Sequence, residues 1–158
     1  MAIGTEIKAG DEISKDWWPE SVEAQDATTI SNITSTSFIP GTPELGVGFI
    51  SAKTGRCAVC VSAGMFEQSA GDRLFVSFEV YEGTSASGTL VRSARTGNGI
   101  STHGDTTAGG SGEMVKGNMT MVEGLTPNVD HYARVVHSVD GGTTNDLRQR
   151  RITVIPLP

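Results

Sequence analysis

From Arg73 to Glu82 the chain alternates without a break, with Leu74, Val76, Phe78 and Val80 on one side and Arg73, Phe75, Ser77, Glu79 and Tyr81 on the other. A period of two belongs to a β-strand with one buried face. A slip of one residue would expose the whole apolar set, so the register of this strand is strongly specified. The second face still carries Phe75 and Tyr81, more aromatic surface than water requires; they could cover a contact with another molecule or lie under a loop.

The same kind of pattern recurs from Thr28 onwards in short runs separated by glycine-rich punctuation. Strands are expected over 28–38, over 46–52 with Val47 and Phe49 on one face, and over 56–66. In the last, Cys57, Val59, Val61, Ala63 and Met65 read as the core face. Further strands are expected over 89–94, over 113–123 with Val115, Met119 and Met121 on one face, over 130–139 and over 150–157. Turns fall at Pro40-Gly41-Thr42-Pro43, at Lys53-Thr54-Gly55, at Gly124 to Asn128 and at Asp140-Gly141-Gly142. No stretch has helical periodicity. About eight strands with short connections predict an all-β, antiparallel β-sandwich, jelly-roll-like or fibronectin-III-like. The segment from Thr96 to Gly112 has almost nothing to bury and reads as a long exposed loop.

At 158 residues the chain is one domain long, and at that size about two-thirds of the unfolded surface can be buried. The organisation read from it is an N-terminal attachment arm over 1–27 and a sandwich over 28–158. Up to Ile30 seven acids stand against Lys8 and Lys15, whereas the remainder is nearly neutral. The arm also holds both tryptophans, Trp17 and Trp18, with Ile3, Ile7 and Ile13 ahead of them. Two exposed indoles would waste a large apolar area. They either fold back onto the body or dock on a partner, which makes Ile7, Ile13, Trp17 and Trp18 the candidate partner-binding residues.

A net charge of −6 argues against nucleic-acid binding, which wants a basic face. No apolar run approaches the roughly 20 residues that span a bilayer. The first ten residues lack a basic start and an apolar stretch, so synthesis is expected in a cytoplasm, without secretion. Cys57 and Cys60 form a CxxC, but on a strand residues three apart point to opposite faces. No second pair completes a zinc site, so Cys57 reads as core filler. His131 and His137 share a strand face about 20 Å apart, too far for one metal. His103, near Asp105 in the glycine-rich loop, reads as solvated. No nucleophile elbow or carboxylate pair in a cleft is visible, so neither an enzyme nor a cofactor is expected. Arg148, Arg150 and Arg151 cluster at the last strand, either to blunt an edge or to receive an acidic segment such as the arm of another copy.

Gly124-Leu125-Thr126-Pro127 with Tyr132 resembles the fibronectin type III turn in which a tyrosine hydroxyl bonds back to the turn. More of the chain is similar to a family of accessory proteins of tailed actinobacterial phages. The likeness is carried by Ser35-Thr36-Ser37-Phe38, Gly46-Val47-Gly48-Phe49, Gly55-Arg56, Ser77 to Gly83, Gly88-Thr89 and the end from Gly124 to Val154. The opening Ala9-Gly10-Asp11-Glu12-Ile13 with Trp17-Trp18 resembles the attachment segment of phage virion proteins. This resemblance implies a non-enzymatic virion structural protein, a capsid decoration or surface appendage. It would be made in the host bacterial cytoplasm and anchored by its arm to a major capsid or tail protein. It would be a homo-oligomer, with a trimer favoured. The alternative is a tail-associated carbohydrate-binding module that uses Phe75 and Tyr81 against the host surface.

Overall fold

The structure, a computed structural model, describes residues 20–67, 73–102, 113–141 and 145–158. Among the described residues eleven strands run in chain order: β1 Val22–Asp26, β2 Ile30–Ile33, β3 Ile39–Pro40, β4 Gly46–Ile50, β5 Arg56–Glu67, β6 Leu74–Glu82, β7 Thr89–Arg92, β8 Ile100–Ser101, β9 Met114–Val122, β10 Asp130–Val139 and β11 Asn145–Leu157. They form two antiparallel sheets packed face to face. One has the order β1-β11-β5-β9, with β2 beside β1 on β11; the other has the order β3-β10-β6-β7, with β4 on β10 and β8 on β6. The pairs β1 and β2, β3 and β4, and β7 and β8 each share one position, so the eleven segments fill eight places. Successive places alternate between the sheets except at the β6–β7 hairpin, which is jelly-roll topology. Of the two sandwich layouts open to the sequence, this is the first.

The core lies where alternation put it. Cys57, Val59, Val61, Ala63 and Met65 face Leu74, Val76, Phe78 and Val80, with Ala133, Val135, Leu147, Ile152 and Val154 completing one cluster. Burying each Val, Leu or Phe contributes about 1.5–3 kcal/mol. Phe49 packs inward and stacks on His131 with ring centroids 5.4 Å apart.

Four expectations are corrected. Residues 22–26, assigned to the arm, are β1, paired with β11 from Val22–Val154 to Asp26–Arg150. β11 is therefore an interior strand, flanked by β1 and β2 on one side and β5 on the other, and its arginines do not blunt an edge. The first part of the glycine-rich segment is packed rather than exposed. A 3-10 turn over Thr96–Asn98 leads into β8, and Asn98, Ile100 and Thr102 are buried. Tyr132 does not close a turn: its hydroxyl donates to Glu44 Oε1 at 2.9 Å. On β10 it is His131 that points inward, which leaves Tyr132 on the outer surface.

Candidate docking face

The outer face of the β1-β11-β5-β9 sheet is built in rows set by the strand registers. Met121, Ala58 and Ile155 lie side by side; then Met119, Cys60, Thr153 and Glu23; then Gly117, Ser62, Arg151 and Gln25; then Val115, Gly64 and Arg148. The β5 residues in these rows, Ala58, Cys60, Ser62 and Gly64, are all small. They floor a groove about 13 Å long from Ala58 to Ser62. One wall is β9, with Val115 at 68%, Met119 at 61% and Met121 at 42% exposure. The other wall is β11, with Ile155, Thr153 and Arg151. Beyond Ser62 the groove is closed by the Arg148–Glu113 ion pair, which crosses over Gly64, and Arg148 sits 4.6 Å over the Phe66 ring.

β9 presents its apolar side to solvent because its inner side has another partner. Lys116 Nζ donates to the Ser101 carbonyl at 2.6 Å, Asn118 Nδ2 to the Gly99 carbonyl at 3.1 Å and Thr120 Oγ1 to the Asn98 carbonyl at 3.0 Å. These three side chains satisfy backbone carbonyls along the side of the sandwich where β8 meets β9. The sequence grouped Val115, Met119 and Met121 on one face, and the structure keeps that grouping and turns the face outward.

Beside the groove, β11 carries a bulge. Gln149 takes φ 50°, and between Arg148–Gly64 and Arg151–Ser62 two residues of β11 oppose one of β5. The bulge reverses the alternation, so Arg150 turns into the sandwich, where it is 1% exposed. Its guanidinium donates to the Pro43 carbonyl and, from Nη2 at 3.1 Å, to Asp26 Oδ2, while Nε has no partner among the described residues. A Cβ at Gly41 would meet the guanidinium and the end of the Ile30 side chain, so one of the two would have to shift. Arg151 reaches Glu23 at 3.7 Å and Gln25 Oε1 at 3.0 Å. The acids that meet two of the three clustered arginines thus come from β1 of the same chain. A depression of about 580 Å³ opens at the bulge, lined by Gln25, Asp26, Ser62, Gln149, Arg150 and Arg151 among others.

The opposite sheet is tied down by charge. Arg134 pairs with Glu44 at 2.7 Å and Glu79 at 2.8 Å, and its guanidinium lies 5.2 Å over the Tyr81 ring. Tyr81 donates to Glu79 Oε2 at 2.7 Å and is only 7% exposed. Phe75 shares its face of β6, about 20 Å along the strand. Ser77 stands between them and donates to the Arg95 carbonyl at 2.9 Å, so the two rings do not form one platform.

The remaining sequence candidates are placed as follows. Cys57 is buried and its thiol is pushed up to about 12 by burial; Cys60 faces the groove, and burial raises its thiol also. Neither has the depressed pKa of a reactive thiol. His131 and His137 are both inside the sandwich, and burial together with the Arg150 charge lowers His137 to about 4. Among the described residues no three His, Cys, Asp or Glu side chains could hold one metal ion. Among them, too, no helix is long and apolar enough to cross a membrane. Ile7, Ile13, Trp17, Trp18, His103 and Asp105 lie outside the described residues.

No family model matches the chain, and no curated protein matches it. Solved structures similar to it include the VP2 subviral particle of infectious bursal disease virus, at 12% identity and a TM-score of 0.46 over 87% of this chain and 32% of that one. The structure of that virus's Gt strain is similar at 14% identity and a TM-score of 0.43, over the same shares. The enzymatically active domain of tailspike protein 4 from bacteriophage CBA120 is similar at 9% identity and a TM-score of 0.33, over 84% of this chain and 19% of that one. This chain therefore spans about a third of the length of the infectious bursal disease virus chains it resembles.

Proposed function

We propose that this chain is a non-enzymatic structural protein of a bacteriophage virion, a capsid decoration or surface appendage. It attaches through residues 1–19 together with the outer face of the β1-β11-β5-β9 sheet. The observation that carries this reading is the orientation of β9. A nine-residue strand whose Lys116, Asn118 and Thr120 are pinned to backbone carbonyls, and whose Val115, Met119 and Met121 stand exposed on the other side, has an apolar side in reserve for another surface.

The partner is another virion protein, a major capsid or tail protein, and copies of the chain associate, with a trimer favoured. The non-enzymatic part is supported by how the polar side chains are used. The arginine–carboxylate pairs cross-link neighbouring strands, and the two described histidines are core residues. The carbohydrate-binding alternative draws no support from the buried, hydroxyl-bonded Tyr81 and its separation from Phe75. The test is incorporation into particles. A chain lacking 1–19 keeps β1 and should fold, and it should not enter particles. The full chain with Met119→Glu and Met121→Glu should fail in the same way. Normal incorporation of both would overturn the reading.

A further inference from the structure

We propose that in the free chain the groove along β5 is occupied by the chain's own N-terminal segment, residues 1–19, with Trp17 and Trp18 against Met119, Met121 and Ile155. This segment covers the side of β9 that attachment uses, so attachment requires the segment to leave the groove.

The chain enters β1 at one end of the groove. Val22 pairs with Val154 and Glu23 with Thr153, so residues running back from Val22 leave β1 at the level of Ile155 and Pro156. That is the end of the sheet carrying the Met121–Ala58–Ile155 row. From β1 to β5 is two strand spacings, about 10 Å. Trp18 is four residues from Val22, a reach of about 13 Å, so the indoles can reach the groove without displacing β1.

The registers also match further along. A segment folded back over this face runs from the Arg151 row towards the Ile155 row, about 13 Å apart. Glu12 and Trp17 are five residues apart, about 16 Å when extended. With the indoles at the methionines, Asp11 and Glu12 therefore fall at the depression by the bulge. There Arg151 and Gln25 line the outer side of the depression, while Arg150 points into the sandwich and is held by Asp26 and the Pro43 carbonyl. Apolar residues meet the apolar end of the groove and carboxylates meet its arginine end.

Both tryptophans of the chain are in this segment, so intrinsic tryptophan fluorescence reports on it alone. In the folded full chain the emission should be blue-shifted from the urea-unfolded chain and independent of concentration. Met119→Glu with Met121→Glu should move it to the unfolded wavelength while far-UV circular dichroism stays unchanged, because neither side chain belongs to the core. Cys60, on the groove floor, gives a second readout. In full-length Trp17→Ala/Trp18→Ala it should react with a thiol reagent roughly tenfold faster, the equivalent of about 1.4 kcal/mol. Emission already at the unfolded wavelength would overturn the proposal, and so would a blue shift that ignores the methionine substitutions. A blue shift that appears only as concentration rises would assign the groove to a second copy and overturn it too. None of these outcomes depends on particle incorporation, so this proposal and the virion reading can fail separately.

Discussion

His137 offers a quantitative test of how the sandwich interior is built. It faces inward from β10, 2% exposed, and burial with the nearby Arg150 charge lowers its pKa from 6.5 to about 4. The sign follows from which state takes up the proton first. The unfolded chain binds it near 6.5 and the folded chain only near 4, so stability from this group is complete above 6.5 and is lost as pH falls from there to about 4. At about 1.4 kcal/mol per pKa unit, the loss by pH 4 is about 3 kcal/mol. His137→Leu keeps a side chain of similar size and removes the titration. Urea unfolding of both proteins at pH 7 and pH 4 isolates the effect, since the carboxylates titrate in both. The native chain should lose about 3 kcal/mol more than His137→Leu over that interval. Equal losses would refute the reasoning and would mean that His137 is hydrated or that the Arg150 charge is displaced.

Two substitutions test other parts of the interior. Asp26→Ala leaves Arg150 buried with only the Pro43 carbonyl, and should cost about 3 kcal/mol in urea unfolding. A cost below about 0.5 kcal/mol would place the pair among ordinary surface ion pairs. Gly55 and Gly124 both have positive φ, but a Cβ at Gly55 would strike the Leu125 carbonyl whereas one at Gly124 meets open space. Gly124→Ala should therefore cost about 1 kcal/mol for the backbone alone, and Gly55→Ala measurably more by thermal unfolding; equal costs would contradict the structure.

The parts of the fold legible in the sequence are those where one face is apolar and the other is not. β5 and β6 follow their alternation, and β10 spans Asp130–Val139, the expected range. β1 escaped because its inward residues, Val22, Ala24 and Asp26, end in a carboxylate whose role appears only once Arg150 lies beside it. Arg150 itself could not be placed, since a bulge at Gln149 reverses the alternation and no residue type announces it. The candidate docking face was half legible. Val115, Met119 and Met121 were grouped correctly, but which way they point depends on Lys116, Asn118 and Thr120 finding carbonyls in the 98–101 segment, a contact between distant parts of the chain. The floor of small residues, Ala58, Cys60, Ser62 and Gly64, was visible as the other half of the β5 alternation and gains meaning only beside its walls.

Electron microscopy of the phage particle with this chain located tests the central claim most directly. The account predicts the chain on the particle, with the β9 face at Val115, Met119 and Met121 against another virion protein. A particle lacking the chain, or one in which that face stands open to solvent, would contradict it.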